Sequence, residues 1–326
     1  LQGDLTAGGN LALESGTNIL AVRGNMLLNC GGDFVLTNGG VAYFMNGKTN
    51  GVGRDYGILI SVTGDMKMGS SSWIYPYSHF SDGGSCLFKM NNLIIPTNAG
   101  FNADYKGFNG AWSGGGYGAG AGTYWGGGAG YGGKGGKTSL SGSPGNPYGS
   151  TNAPIHPGSG GGSHPNVPLP PRGGGSVRVE ATGTVTLDGR ITANGKMGGG
   201  WTTTMDSGCG SGGAIFIMCN ALYGATNGVM SANGGSSDGS AVYGGGGGGG
   251  RIAIWIRIPE SLRTMISTGN IPVNVTVTNT HPTYLGALSV TNGLGYTNLA
   301  PNGAEPGTAA FFILNSLARG AVFTFY

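Results

Sequence analysis

A repeated strand unit constrains the fold of this chain more than any other feature. Apolar segments start at Val177, Ile215 and Ile252, which are 38 and 37 residues apart, and each follows a glycine-rich tract. An Ala-Asn-Gly triplet begins at Ala193 and Ala232, 16 and 17 residues after the first two starts. Further copies start at Ile58, Leu87 and Ala309. A fixed period of short strands is typical of a solenoid, so we predict an all-β fold, a parallel β-helix with long glycine-rich loop insertions.

The Asn-Gly pairs suggest how the repeated unit turns. Both residues tolerate left-handed backbone angles, which suits a sharp corner between strands. Asn-Gly is equally a strong β-hairpin signal. Its recurrence at matched spacing favours a corner of the repeat.

Composition excludes several classes of protein. Glycine supplies 73 of 326 residues, about three times the average usage, and it does not recur at every third position as collagen requires. So much glycine argues against a helix bundle. Charged residues are only 9%, with a net charge of +3, so we expect no nucleic-acid partner. The sequence has no run of 18 apolar residues, and we expect no membrane span.

Four segments follow from these patterns. Residues 1–56 contain closely spaced short strands, which we interpret as the start of the solenoid, a cap, an assembly strand or a small sheet of their own. Residues 57–315 form the β-helix, interrupted at 110–175 by a Gly/Pro-rich insertion that is either an ordered excursion on the flank or a flexible loop. Residues 316–326 form a C-terminal apolar strand. The chain starts Leu1-Gln2-Gly3 without a basic and apolar leader, and we interpret it as a mature or processed chain.

Repeat style also suggests a family. The glycine run before Arg251-Ile-Ala-Ile-Trp255 and the segment Gly212-Gly-Ala-Ile-Phe-Ile217 resemble glycine-rich β-helical repeat proteins of the bacterial cell surface, over about residues 172–315. That resemblance implies a parallel β-helix at the cell surface. The insertion at 110–175 is similar to the glycine-rich loops of phage tail-tip adhesins.

No constellation of residues predicts catalysis. The 13 acidic residues are dispersed, without an Asp-x-Asp or Asp-Asp pair, although a lyase or glycosidase needs clustered carboxylates. Asp188 precedes a glycine and suits a turn. The four histidines and the four cysteines (Cys30, Cys86, Cys209 and Cys219) have no spacing typical of a metal site. We therefore predict a protein that is not an enzyme, with no catalytic, cofactor-binding or metal site. The cysteines form either two disulfides or buried thiols.

Our leading expectation is a structural subunit of an extracellular filament or surface layer. An open end of a solenoid carries unpaired strands, which favours head-to-tail assembly of the chain with itself. The apolar residues at the two ends would carry this contact: Leu5, Leu11, Leu13, Ile19, Val322, Phe323, Phe325 and Tyr326.

The alternative is a carbohydrate-binding or host-binding adhesin tip at the cell surface. Aromatic rings in glycine-rich loops could stack on surface glycans, because loops commonly carry binding residues. The aromatic residues concerned are Trp112, Tyr117, Tyr124, Trp125 and Tyr131. A polysaccharide lyase or hydrolase is a third, weaker hypothesis.

Overall fold

The computed structural model describes residues 1, 3–14, 19–37, 39–49, 53–110, 114–139, 141–163, 171–199, 207–237, 244–295 and 303–315. The prediction of an all-β fold is confirmed. The strands are β1 Leu5–Ala7, β2 Leu11–Leu13, β3 Ile19–Gly24, β4 Leu27–Cys30, β5 Phe34–Leu36, β6 Val41–Asn46, β7 Leu59–Val62, β8 Met66–Met68, β9 Trp73–Tyr77, β10 Cys86–Met90, β11 Leu93–Ile95, β12 Gly100–Asn102, β13 Ser176–Ala181, β14 Thr184–Leu187, β15 Arg190–Thr192, β16 Ala214–Cys219, β17 Ala221–Tyr223, β18 Val229–Ser231, β19 Arg251–Ile256, β20 Val275–Thr278, β21 Ala287–Ser289 and β22 Thr308–Leu314. Within the described ranges there is one helix, α1 Glu260–Ser267.

The strands form three sheets that the chain visits in turn. Sheet 1 has the order β1-β4-β7-β10-β13-β16-β19-β22-β20, sheet 2 β17-β14-β11-β8-β5-β2, and sheet 3 β21-β18-β15-β12-β9-β6-β3. Each strand up to β16 pairs with the third strand after it, and these pairs are parallel. Among the described strands, β20 alone runs antiparallel, beside β22. Parallel neighbours need a crossover, and the two intervening strands supply it.

Most residues predicted to start a repeat pair with one another in neighbouring strands of sheet 1. Val177 pairs with Ile215, and Ile215 pairs with Ile252. The start predicted at Leu87 is one residue late, because Cys86 is the partner of Val177. A shift of one residue exchanges the two faces of a strand. Cys86 therefore points inward, whereas Leu87 lies on the outer face with Arg178.

Inward side chains of the three sheets form one hydrophobic cluster, which we call the apolar column. One row of aligned inward residues crosses six neighbouring strands of sheet 1 and is fully buried: Ile60, Phe88, Val179, Ile217, Ile254 and Phe311. Phe88 packs edge-to-face on Phe44 and Phe101, with ring centroids 5.6 Å and 5.1 Å away. The period of two in each strand places these apolar residues on the same side.

The first strands of the chain belong to the same sheets as the later ones. Strand β4 pairs with β7, β5 with β8 and β6 with β9. Leu13 is buried in the apolar column, and Leu5 and Leu11 pack against it while partly exposed. Residues 5–46 therefore extend the three sheets.

The Asn-Gly corners work differently from our expectation. No positive φ occurs at Asn194 or Asn233, nor at the glycines after them, so left-handed backbone is not the reason for the pair. Instead the Oδ1 atom of Asn194 accepts the N–H of Asn233 at 2.8 Å, and Asn233 Oδ1 accepts the N–H of Thr291 at 2.8 Å. The asparagines thus form a hydrogen-bond ladder along the corner between sheet 3 and the following excursions.

The outer face of sheet 1 has a polar part and an apolar part. Arg178 and Glu180 point outward from β13, whereas the outward residues of β16, β19 and β22 join a second apolar cluster under α1. Trp255 stacks on Phe312 at 4.5 Å in this cluster, and Ile266 of α1 is buried against it.

Candidate functional sites

The glycine-rich excursions between strands pack against one another in a region that we call the glycine block. It comprises residues 114–136, 142–146, 157–163, 171–175, 195–198, 207–213, 234–236 and 244–250, with 293 and 305–307 at its edge. These segments contain almost no strand, yet most of their glycines are buried. The described part of the insertion at 110–175 therefore packs within this block.

Backbone hydrogen bonds join each segment of the block to several others. Segment 126–130 exchanges bonds with Gly120, Gly136, Gly145, Gly162, Cys209 and the segment 245–248, over distances of 2.8–3.0 Å. A β-strand has two such neighbours, whereas this segment has six. Extended backbone without internal hydrogen bonds can present its N–H and C=O groups on several sides. The block therefore satisfies its buried backbone groups without a sheet.

Close backbone contact explains why these segments are glycine. A Cβ atom at Gly208 would lie 2.0 Å from the carbonyl oxygen of Gly127, and one at Gly128 would lie 2.0 Å from that of Gly246. Both contacts are with backbone, which cannot rotate away. The seven-glycine run at 244–250 is thus an interior segment, and its composition follows from packing.

Aromatic residues of the insertion take two different positions. Tyr131 is fully buried, with its ring 4.7 Å from Tyr148 and the guanidinium of Arg251 5.6 Å from its centroid. It therefore packs the block onto the strands. Tyr124 and Trp125 are half-buried and pack edge-to-face at 4.8 Å. Trp112 lies outside the described residues.

Tyr117 is exposed at the surface of the block, and its partner is Phe80, which the sequence did not single out. The side chains are 45% and 44% exposed and meet edge-to-face at 6.2 Å. Phe80 lies in the connection between β9 and β10, outside the insertion. The sequence carries no signal that would bring these two residues together.

The residues predicted for assembly divide between the described and undescribed parts of the chain. Leu5, Leu11 and Leu13 lie in the edge strands β1 and β2, and Ile19 begins the edge strand β3. Val322, Phe323, Phe325 and Tyr326, with the predicted strand 316–326, lie outside the described residues. Contact between the two predicted sets therefore stays a prediction.

A groove of about 900 Å³ lies over the polar part of the outer face of sheet 1, which the sequence analysis did not predict. Its floor carries Arg178 and Glu180, which form an ion pair at 3.0 Å. Asp55 binds Arg178 at 2.7 Å and Lys89 binds Glu180 at 3.2 Å. In the sequence, Val177 and Val179 alternate with Arg178 and Glu180. Because successive side chains of a strand point to opposite faces, this alternation indicates a charged face of the sheet.

The acidic residues, histidines and cysteines take separate positions in the described structure. No group of three His, Cys, Asp or Glu side chains is arranged to hold a metal ion there. Asp188 accepts the backbone N–H of Ala225 at 2.8 Å, so it bonds to the next repeat and not to its own turn as expected. Partial burial lowers the pKa of His79 and His281 and favours their neutral forms.

All four cysteines are buried and none is joined in a disulfide, so the disulfide alternative is not found in this structure. Burial raises the pKa of the Cys86 and Cys219 thiols to about 12. Because the thiolate is the reactive form, these two side chains are poor nucleophiles and behave as small apolar groups.

Within the described ranges, no helix has the length and apolar character needed to cross a membrane. Comparison of the chain with protein-family models, curated proteins and solved structures gives no significant match.

Proposed function

We propose that this chain is a parallel β-helix that acts as a non-enzymatic binding module of an extracellular, cell-surface protein, with glycans as its ligands. The exposed pair of Phe80 and Tyr117 on the glycine block carries this proposal. Aromatic side chains offer large contact area with few rotatable bonds, and they are enriched where proteins bind partners.

The backbone under both rings is fixed by hydrogen bonds. The N–H of Tyr117 donates to Asn109 O at 2.8 Å, and its carbonyl accepts the N–H of Gly160 at 3.0 Å. The carbonyl of Phe80 accepts the N–H of Asn109 at 2.9 Å. Asn109 therefore ties the two aromatic segments together, and a ligand would find the rings already in position. Such preorganisation lowers the entropy cost of binding.

The extracellular location rests on composition and on the surface-protein resemblance of the repeat. Low charge and abundant Gly, Asn, Ser and Thr suit an exposed, durable module. The absence of clustered carboxylates in the sequence supports binding without turnover.

A glycan array tests this function. Wild-type protein should bind a defined set of glycans, and Phe80→Ala and Tyr117→Ala should each reduce that binding. Tyr223→Ala is the matched control, because Tyr223 is a 49% exposed tyrosine on β17 of sheet 2. Equal loss in all three variants, or no glycan bound by wild type, would contradict the proposal. New chain ends in the bound glycan would identify an enzyme instead.

A filament subunit is the second candidate function. Strands β1, β2 and β3 are edge strands of their sheets, and edge strands favour pairing with another chain. The opposite edge of sheet 1 is formed by β20, which runs antiparallel to β22. This strand argues against simple head-to-tail stacking, because it covers the edge of β22. Electron microscopy of wild type and of a chain lacking residues 321–326 tests it: fibres that depend on those residues support assembly, and monomers in both cases do not.

A further inference from the structure

Strand β20 ends sheet 1 and leaves one edge of that sheet open. It pairs antiparallel with β22, and no described strand pairs with its other edge. Its sequence Val-Thr-Val-Thr is β-branched throughout, without charge or proline. Charges, prolines and covering segments are the usual means by which proteins protect edge strands. Because β20 has neither of the first two, a covering segment is the remaining means.

Apolar side chains are exposed beside this edge. Ile271, Val273 and Val277 are 57%, 81% and 56% exposed. Val277 lies opposite Phe312, a residue of the second apolar cluster, and Val275 packs against that cluster. The outer face of β20 therefore continues this cluster to the edge of the sheet, where Val277 is open to solvent.

The sequence after β22 contains a segment with a matching pattern. Residues 321–326 read Ala-Val-Phe-Thr-Phe-Tyr, carry no charged side chain and lie outside the described residues. In a strand, Phe323 and Phe325 would share one face. Beside β20 they would extend the second apolar cluster over Val277, since aromatic and β-branched residues form favourable cross-strand pairs.

The chain is long enough to reach this position. Asn315 is the last described residue, and its N–H and Nδ2 donate to Asn274 O and Thr276 Oγ1, each at 2.9 Å. The chain therefore leaves β22 beside the start of β20. Residues 316–320 span up to about 17 Å when extended, whereas a strand on the far edge of β20 would lie about 10 Å from β22. A chain that turns back after β22 runs parallel to β20, because β20 and β22 are antiparallel.

We infer that residues 321–326 add to the open edge of β20 in the same chain, as a parallel strand with Phe323 and Phe325 on the outer face. A short linker gives the tethered segment an effective concentration in the millimolar range, which favours it over the same segment of a second copy. The segment would thus close sheet 1 and oppose end-to-end assembly. The inference is independent of glycan binding, which concerns Phe80 and Tyr117.

Disulfide trapping tests the contact, because Thr276 and Thr324 would share the face opposite the phenylalanines. In the variant with Thr276→Cys and Thr324→Cys, mild oxidation should link residues 276 and 324 within one molecule, which peptide mass spectrometry and non-reducing electrophoresis detect. The four native cysteines are buried and should not compete. The matched control is Ile94→Cys with Thr324→Cys, since Ile94 is exposed on β11 of sheet 2; its linkage should be at least about tenfold less.

Hydrogen exchange gives a second measurement that needs no added cysteine. Phe323→Ser together with Phe325→Ser should raise the exchange rate of the β20 amides at least about tenfold, because the edge would lose its covering strand. Leu317→Ser, in the connection before the segment, is the control and should exchange as wild type does.

A disulfide between residues 276 and 324 of two molecules would overturn the inference in favour of strand exchange between copies. Equal linkage in the Ile94 control, no linkage at all, or unchanged exchange in the double serine variant would also overturn it.

Discussion

The apolar column and the glycine block solve the same packing problem in opposite ways. In the column, large side chains such as Phe88 fill the space between sheets, and the backbone bonds to two neighbours. In the block, most contacts are between glycine backbones, and segment 126–130 bonds to six neighbours. Buried backbone must be hydrogen-bonded in either case. A chain can therefore bury backbone without a side-chain core, provided that it accepts glycine at nearly every contact.

The two regions should differ most in their response to added atoms. Gly208→Val would place its Cβ 2.0 Å from the carbonyl oxygen of Gly127, and we expect the free energy of unfolding to fall by more than about 5 kcal/mol, beyond ordinary overpacking. Urea denaturation measures the change. The matched control is Gly8→Val, whose Cβ would meet nothing within 4 Å and which should change stability by less than about 1 kcal/mol. Similar results for both variants would refute the close-packed block.

The column should be most sensitive to lost atoms. Phe88→Ala removes a fully buried ring with two edge-to-face partners, and we expect a loss of about 3–5 kcal/mol in the free energy of unfolding. Ile94→Ala, on the outward side of β11, is the control and should cost less than about 1.5 kcal/mol. A small effect at Phe88 would mean that the column is loosely packed.

The asparagine ladder lies between the apolar column and the glycine block. Its removal should lower the free energy of unfolding by less than the two substitutions above. Asn233→Ala deletes the acceptor of the Thr291 N–H and of the Ser289 hydroxyl, which should cost about 1–2 kcal/mol. Asn227→Ala removes only an exposed bond to Thr97 and should cost less than about 0.5 kcal/mol. Thermal unfolding of the two variants and of wild type measures both losses in stability. A larger loss in Asn227→Ala than in Asn233→Ala would show that the ladder does not stabilise the corner.

A pH-dependent effect concerns Lys106, which precedes Gly107 at the contact between sheet 3 and the block. Burial lowers the pKa of Lys106 to about 8, and its Nζ lies 5.1 Å and 5.2 Å from the ring centroids of Tyr75 and Tyr77. Between about pH 8 and the ordinary value of 10.5, the unfolded chain binds more protons at this residue, so its contribution to stability rises with pH. Wild type should therefore gain stability relative to Lys106→Met across that window. A constant difference in unfolding free energy would contradict the lowered pKa.

The sequence by itself determined the strand period and the sheet class. Val177, Ile215 and Ile252 lie in register because an apolar residue that recurs at a fixed spacing must meet its equivalent when strands stack in parallel. The start at Leu87 was misplaced because Cys86 was not recognised as an inward strand residue. Left-handed angles at the Asn-Gly corners were a wrong inference from local preference, since the asparagine side chains bond to the next strand unit instead.

Only the tertiary structure decided where the glycine segments go and which surface residues meet. Local glycine composition is compatible with a flexible loop or with close packing, and the difference depends on neighbours distant in sequence, as Gly128 and Gly246 illustrate. Phe80 and Tyr117, and likewise Asp55 and Arg178, lie on separate segments without a shared pattern. Their proximity follows from stacking and crossover geometry, which no local sequence signal encodes.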